Sequence, residues 1–264
     1  MRAVIDSLRT ARYLGRELMG YAGYYIKRNA ETQVRVFIFG QGRTGSTVLE
    51  NLLASTGHFI EHRELLNARY REVALPLPFI LGLSRWRARN FVCHVKLYHL
   101  LRDRRKLVEP ARFLSALHEH GWKIIYLRRQ NKVEHVLSSL IAEQRGAYQK
   151  KDDSKEALAL RIDCRQLVKF VRQRMDFETL EKAALDGLDY HEVIYERDLK
   201  NPAMHQTTVD GILDYLSLPH REARTQYKKI KVFETRQLIS NYDDAIECLR
   251  RENWAHFLED PWNG

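Results

Sequence analysis

Glycines, one arginine and three hydroxyl side chains are concentrated in one short stretch between two apolar segments. The stretch reads Gly40-Gln41-Gly42-Arg43-Thr44-Gly45-Ser46-Thr47. Residues 34–39 before it are rich in β-branched and aromatic side chains and predict a buried strand, whereas the apolar residues after it recur at helical spacing. Backbone N–H groups and the positive end of a helix dipole would both point into such a loop. The sequence therefore predicts an anion-binding loop, with a plain tight turn as the alternative.

The loop departs from the nucleotide P-loop pattern G-x-x-x-x-G-K-[ST] at one position. Gly40, Gly45 and Thr47 fit the pattern, but Ser46 occupies the lysine position. Nucleoside triphosphatases bind the β- and γ-phosphates with that lysine. The cation of this loop is instead Arg43, which precedes Gly45 in the sequence. In this respect the loop resembles the 5′-phosphosulfate loop of sulfotransferases that use 3′-phosphoadenosine 5′-phosphosulfate (PAPS). The resemblance implies that the donor is bound by Gly42, Arg43, Thr44, Gly45, Ser46 and Thr47.

A second stretch, residues 123–138, combines a strand, two arginines and a helix that carries serine. Residues 123–127 predict a strand, Arg128 and Arg129 follow it, and Ser138 lies on the next amphipathic helix. A planar arginine fork and a hydroxyl donor are suited to a phosphate group. The spacing of Arg129 and Ser138 resembles that of bacterial carbohydrate sulfotransferases, in which such a pair binds the 3′-phosphate of PAPS. Arg128 remains an alternative to Arg129.

Glu64 follows the loop helix and a short strand predicted from residue 58 to residue 60, at a strand-to-helix junction. The trehalose and Nod-factor types of bacterial carbohydrate sulfotransferase carry a glutamate in a similar place, which resembles a general base. The resemblance implies this role for Glu64, if partial burial brings its pKa towards working pH. Lys96, at the end of a further predicted strand, meets an anionic acceptor or caps a solvated edge. The alternative for Glu64 is an ordinary solvated side chain without a catalytic role. Glu61, His62, His94 and His99 compete with it for the role of base.

Together these stretches imply a PAPS-dependent sulfotransferase. The implied reaction moves a sulfuryl group in line from PAPS to an acceptor hydroxyl on a carbohydrate or glycolipid and releases PAP, the desulfated nucleotide. Glu64 would be the base, and Arg43 would stabilise charge on the leaving phosphate. No metal is expected, since no obvious magnesium-binding aspartate lies near the loop. The rivals are a small-molecule kinase on the same fold and a non-catalytic basic adaptor that binds anionic glycan or lipid.

Strands that alternate with helices predict an α/β fold. We expect a central parallel sheet with helices on both faces, a three-layer sandwich of the P-loop nucleotide-kinase kind, as the resemblance also implies. The 264 residues, 44% of them apolar, suit one such domain over residues 31–264. The segment from Tyr195 to Pro219 resembles an architectural part of the same family. The binding site should lie at the carboxyl ends of the strands.

Residues 2–28 predict one amphipathic helix, which forms a separate N-terminal element over residues 1–30. Its arginines and apolar side chains would suit an anionic membrane interface. The alternatives are packing on its own domain or on the partner subunit of a homodimer. No run of about 18 apolar residues predicts a membrane span, and arginines interrupt any signal-peptide core.

The net charge is +10, from 44 basic and 34 acidic side chains, and favours anionic ligands or surfaces. The basic residues are spread along the chain without a nucleic-acid-binding signature, so nucleic acid is not expected as a partner. Cys93, Cys164 and Cys248 are odd in number and far apart, without C-x-x-C spacing. We therefore expect neither a disulfide framework nor a zinc site, and a reducing, cytoplasmic compartment, with the inner membrane surface as the peripheral location.

Overall fold

Five strands of the described residues form one parallel sheet in the computed structural model of this chain. The structure describes residues 2–26, 33–68, 72–86, 90–144, 161–225 and 239–258. The strands of this part are β1 (Arg35–Gly40), β2 (Phe59–Glu64), β3 (Asn90–Lys96), β4 (Lys123–Arg128) and β5 (Tyr190–Ile194). They are ordered β2-β3-β1-β4-β5, and each neighbouring pair is parallel.

Helices connect the strands, as parallel pairing requires. They are α1 (Arg2–Ile26), α2 (Ser46–Ser55), α3 (Pro76–Ser84), α4 (Leu97–Leu101), α5 (Pro110–Glu119), α6 (Lys132–Gln144), α7 (Cys164–Leu185), α8 (His205–Tyr215) and α9 (Tyr242–Arg251). Short turns of π- or 3₁₀-helix lie at Tyr195–Leu199, Pro202–Met204 and Ala255–Leu258.

Strand β1 shows why the sheet is covered on both faces. All six of its residues are buried, and successive side chains point to opposite faces. Phe37 and Phe39 pack with side chains of α3, α5 and α7. Val36 and Ile38 pack instead with side chains of α2 and α8. Because different helices cover the two faces, the predicted three-layer architecture around a parallel sheet is confirmed.

Helices α6, α7 and α9 share a further apolar cluster beside the sheet. Cys164 of α7 forms a disulfide with Cys248 of α9, so the expectation that the cysteines provide no disulfide framework is wrong for this pair. The two residues are 84 positions apart in the sequence, and helix packing brings their Cα atoms to 5.9 Å. The expectation of a reducing compartment rested on the cysteine spacing and loses that basis. Cys93 is free and buried.

Helix α1 packs against α3 through two small residues. A Cβ atom on Gly20 would lie 2.5 Å from a ring carbon of Phe79, and one on Gly23 would lie 2.2 Å from the carbonyl oxygen of Gly82. The two helices therefore approach as closely as glycine allows. No helix of the described residues is long and apolar enough to cross a membrane.

Candidate active site

The carboxyl ends of three neighbouring strands bring the predicted site residues to one edge of the sheet. Gly40 at the end of β1 is paired in register with Lys96 at the end of β3. Glu64 at the end of β2 is paired with His94 of β3. The glycine-rich loop therefore lies beside Lys96, with Glu64 one strand further along the same edge.

The loop between β1 and α2 has the geometry of an anion cradle. Gly42 lies so close to the side chain of Tyr98 that a Cβ atom would be 2.6 Å from the phenol oxygen. Gly45 has a φ of 92°, in the left-handed region that favours glycine. Helix α2 then begins at Ser46, and no side chain caps its first turn. Its first N–H groups are therefore not used by a capping side chain and suit an anion.

The hydroxyl residues of the loop divide into two kinds. Thr44 is buried, and its Oγ1 donates to the carbonyl oxygen of Gln41 at 2.8 Å, so that this side chain holds the turn. Ser46 and Thr47 are partly exposed in the first turn of α2. Only these two of the three predicted hydroxyls are therefore at the surface of the cradle.

Arg43 joins the two stretches that the sequence singled out. It has a φ of 68°, which is uncommon for a residue with a Cβ atom. Its Nε donates to Oγ of Ser138 on α6 at 3.4 Å. The predicted partner of Arg129 thus lies against the arginine of the loop.

Two further side chains, from α6 and α7, contact the loop, and no sequence motif marks either of them. His135 is buried, and its Nε2 donates to the carbonyl oxygen of Gly42 at 2.6 Å. Burial lowers the pKa of His135 well below its usual value, so the ring is neutral. Arg174 donates to Oγ of Ser139 at 3.0 Å and to Oε1 of Gln41 at 3.4 Å.

Arg174 differs from Arg128 and Arg129, which both pair with carboxylates. Its hydrogen-bond partners are neutral, and it forms no ion pair with a carboxylate of the described residues. Burial lowers the pKa of Arg174. A partly buried cation without a carboxylate partner favours the binding of an anion nearby.

Four nitrogen donors surround the carboxylate of Glu64, which is the last residue of β2 rather than part of a helical turn. Lys96 forms an ion pair with its Oε1. Nδ2 of Asn67 donates to Oε2 at 2.6 Å. Nε2 of His94 lies 3.5 Å from Oε1, and Nε2 of His99 lies 3.7 Å from Oε2. Glu64 is therefore an oriented anion and not a solvated side chain.

The pKa values follow from this arrangement. Burial alone would raise the pKa of Glu64, but His94 and Lys96 outweigh burial and hold it well below its usual value. The condition that burial brings the pKa of Glu64 towards working pH is therefore not met in this structure. Burial lowers the pKa of His99 to about 3, which leaves that ring neutral.

Two of the competing bases lie further from the centre of this edge. Glu61 is partly exposed, and its Oε1 lies 3.5 Å from a guanidinium nitrogen of Arg63. His62 stacks on Phe91 with ring centroids 4.1 Å apart, and its Nδ1 lies 3.2 Å from a guanidinium nitrogen of Arg16. The remaining candidates, His94 and His99, both border Glu64.

Arg129 is buried and has two carboxylate partners. Its Nε donates to Glu196 at 3.2 Å, and its Nη2 donates to Glu134 at 2.8 Å. The guanidinium also lies 4.6 Å from the ring centroid of Tyr195. A Cβ atom on Gly45 would be 3.0 Å from the same ring, so Tyr195 lies between Arg129 and the loop.

Arg128 has carboxylate partners of its own on the far side of β4. Its Nε donates to Glu192 at 2.7 Å, and its Nη1 lies 3.5 Å from Glu178. Neither arginine contacts Ser138, which accepts from Arg43 instead. The choice between Arg128 and Arg129 for a phosphate ligand therefore remains a prediction.

Sequence reasoning also missed Glu50, whose carboxylate lies behind Glu64. Glu50 is buried on α2, and its Oε2 accepts from Nδ1 of His94 at 2.5 Å. A signal was present, because Glu50 is a single charge among the apolar residues of the loop helix. Arg174 had no such signal, since it lies among many charged residues of α7.

Comparison with known proteins gives structural likeness without sequence likeness. No protein-family model matches the chain, and no curated protein matches it. A sulfotransferase from Alicyclobacillus acidocaldarius aligns over 88% of this chain and 100% of its own, with a TM-score of 0.51 and 13% identity. This likeness shows that the two proteins share a fold.

Two other solved structures align less well. A mouse sulfotransferase, SULT7A1 complexed with PAP, covers 94% of this chain and 90% of its own, with a TM-score of 0.49 and 10% identity. A shikimate kinase from Bacteroides thetaiotaomicron covers 70% of this chain and 99% of its own, with a TM-score of 0.39 and 16% identity. At these TM-scores neither likeness carries weight.

Proposed function

We propose that this chain is a sulfotransferase that moves a sulfuryl group from PAPS to the hydroxyl of an acceptor. The observation that carries the proposal is a P-loop-like turn with arginine instead of lysine, which shares its sheet edge with an oriented carboxylate. Arg43 and the uncapped start of α2 supply positive potential, and Glu64 supplies a base. A kinase on this fold would use lysine where this chain has Ser46.

The residues around the loop fit an anionic donor. Arg43 lies in the loop, Arg174 contacts the loop from α7, and guanidinium groups can offer paired N–H donors to phosphate or sulfate oxygens. At the proposed 3′-phosphate subsite, a phosphate would have to replace Glu134 as a partner of Arg129 while Glu196 stays in place. When bound, PAPS supplies the sulfuryl group, and PAP is the leaving group.

The transfer needs one base and a site for the charge that develops. Glu64 accepts the proton of the acceptor hydroxyl as the acceptor oxygen bonds to sulfur and the bond from sulfur to the bridging phosphate oxygen breaks. Arg43 and the N–H groups of residues 44–47 stabilise the negative charge on that leaving oxygen. Donors of this kind contribute roughly 3 kcal/mol each in other enzymes.

Lys96 is placed to connect the donor with the base. It pairs with Glu64 and lines one small depression together with Thr44 and Ser46. We propose that Lys96 shifts towards an anion in the loop, which removes a cation from the carboxylate and raises the pKa of Glu64. Donor binding would thereby convert a weak base into a stronger one.

The resemblance of the loop and of the Arg129–Ser138 spacing supports a carbohydrate or glycolipid acceptor. We also propose that α1 contacts a membrane surface, with a homodimer interface as the alternative. Leu18 and Ile26 of this helix are 57% and 76% exposed, and exposed apolar side chains on an arginine-bearing helix suit the interface of an anionic membrane. Vesicle co-sedimentation of Leu18→Ser protein beside the unaltered chain tests this contact.

Calorimetry with nucleotides tests the function itself. We expect PAP to bind without metal and ATP with Mg²⁺ to bind much more weakly. Preference for ATP would favour the kinase, and binding of neither would favour the adaptor. An acceptor screen with radiolabelled PAPS, followed by mass spectrometry of the products, then identifies the hydroxyl that is sulfated.

A further inference from the structure

Glu50 is a carboxylate in an apolar environment. It is 0% exposed on the face of α2 that packs against the sheet, between Leu49 and Leu52 in the sequence. Burial of a charged group is costly unless hydrogen bonds or an opposite charge compensate it. The partners of Glu50 therefore indicate its role.

One carboxylate oxygen of Glu50 shapes the end of β2. Oε1 accepts from the backbone N–H groups of His62 at 2.8 Å and Arg63 at 2.6 Å. Arg63 has a φ of 53°, in the left-handed region, and the pairing of β2 with β3 shifts register between Glu61 and Glu64. Glu50 thus stabilises the irregular strand end that presents Glu64.

The other oxygen holds His94. Nδ1 of His94 donates to Oε2 of Glu50 at 2.5 Å, and the imidazole is 2% exposed. Nε2 of His94 has no hydrogen-bond partner among the described residues, although it points at Oε1 of Glu64 from 3.5 Å. A buried donor in this position requires an acceptor, and Glu64 is the carboxylate that can supply it with a small shift.

We propose that Glu50 and His94 form a positioning pair, in which Glu50 holds His94 as an imidazolium that orients the carboxylate of Glu64 for proton transfer. This inference rests on the proposed function, since Glu64 is the base only there. The pair complements Lys96: when Lys96 turns towards the donor, Nε2 of His94 closes its gap to Glu64 and the carboxylate stays in place. In this proposal Glu50 and His94 act through Glu64.

The electrostatic setting of the pair is defined by few groups. His94 faces Glu50 of α2 and Glu64 of β2, and both raise the pKa of its imidazole against the effect of burial. Glu64 also faces Lys96 and the neutral ring of His99. Loss of positive charge at position 94 must therefore raise the pKa of Glu64.

Glu50→Gln and His94→Asn test the pair, with Glu119→Gln on the exposed face of α5 as a matched charge control. We expect kcat to fall roughly 10- to 100-fold in both variants, while PAP affinity stays within about twofold. The acid limb of the pH profile of kcat/KM should move to higher pH in both. The double variant should be no slower than the slower single variant, because residues that act as a unit are not additive. An unchanged pH profile, or equal losses of kcat and PAP affinity, would overturn the proposal.

A measurement on the unaltered chain covers the case in which a variant fails to fold. NMR of ¹⁵N-labelled imidazoles should show His94 protonated on both nitrogens at neutral pH, with or without PAP. A neutral His94 ring would overturn the pair. This readout is independent of turnover, so failure of the pair is distinct from failure of the sulfotransferase proposal, which the nucleotide calorimetry tests.

Discussion

Arg43 is the loop cation, and its backbone conformation and its contact with Ser138 hold it over the cradle. We predict that Arg43→Ala lowers kcat by roughly a hundredfold and weakens PAP binding much less, because its main task is the charge that develops during transfer. A turnover assay with radiolabelled PAPS measures kcat, and calorimetry measures the affinity for PAP. Arg43→Lys is the matched control, since it keeps the charge and loses the planar fork. Equal losses in turnover and affinity would make Arg43 a binding residue only.

Glu64 is assigned as base although its pKa lies well below the usual value. We predict that Glu64→Gln keeps the fold and PAP affinity but loses roughly a hundredfold in kcat, the scale of a missing general base. In Lys96→Met the carboxylate loses a cation, its pKa rises, and the acid limb of kcat/KM moves to higher pH. Near-normal turnover of Glu64→Gln would remove Glu64 from the mechanism, and the same assay on His99→Ala would then test that ring.

Arg129 and Ser138 are the proposed ligands of the 3′-phosphate. We predict that replacing both with alanine narrows the affinity gap between PAP and adenosine 5′-phosphate, because each removes a hydrogen bond to a charged phosphate, about 1.5–3 kcal/mol. Calorimetry with the two nucleotides measures the gap. If Arg128→Ala closes the gap and Arg129→Ala does not, the phosphate is bound by the last residue of β4 instead.

At the scale of elements, the end of β2 shows what local sequence signals omit. The sequence predicted a strand only from residue 58 to residue 60, because the polar residues that follow do not alternate with apolar ones. In the structure β2 continues to Glu64, since it pairs with β3 and Glu50 accepts the N–H groups of His62 and Arg63. These partners are distant in sequence, so a local pattern could not supply them.

The disulfide of Cys164 and Cys248 ties α7, which carries Arg174, to α9. A crosslink between residues 84 positions apart restricts the unfolded chain strongly. We predict that reduction, or the double change to serine, lowers the free energy of unfolding by about 2–5 kcal/mol. Urea unfolding with and without dithiothreitol measures this, and the double serine variant should not respond to the reductant. A wild-type curve that dithiothreitol leaves unchanged would contradict the prediction.

At the scale of the whole molecule, the parallel sheet was predictable because its central strands are apolar on both faces. β1 and β4 read as continuous apolar runs, and such runs are typical of strands covered by two helical layers. The loop and Glu64 were predictable for the same reason, since parallel strands place their carboxyl ends at one edge. Contacts between helices were not predictable from the sequence. The position of Arg174 beside the loop, for example, depends on how α7 packs on α6.

A buried carboxyl group under the loop makes the stability of the whole fold depend on pH. Glu181 of α7 accepts from Nε2 of Gln41 and from the hydroxyl of Tyr126, each at 3.2 Å, while its Oε1 has no partner among the described residues. Burial raises the pKa of Glu181 from 4.5 to about 8. The folded state therefore binds a proton that the unfolded state releases between these values, and the free energy of unfolding falls as pH rises through this window.

We predict that Glu181→Gln flattens this dependence, since glutamine keeps an acceptor and carries no charge at any pH. The variant should exceed the wild type in stability above about pH 8, by on the order of 1–3 kcal/mol. Urea unfolding from about pH 5 to about pH 9 measures the free energy of unfolding of the wild type and of the variant. Glu178→Gln is the control, for which we expect the opposite change in stability. Lys132 lies 2.7 Å from Glu178 and lowers the pKa of Glu178 despite burial. Loss of this charged group should therefore lower the free energy of unfolding at neutral pH. Parallel curves for the wild type and Glu181→Gln would show that Glu181 is already ionised in the folded state.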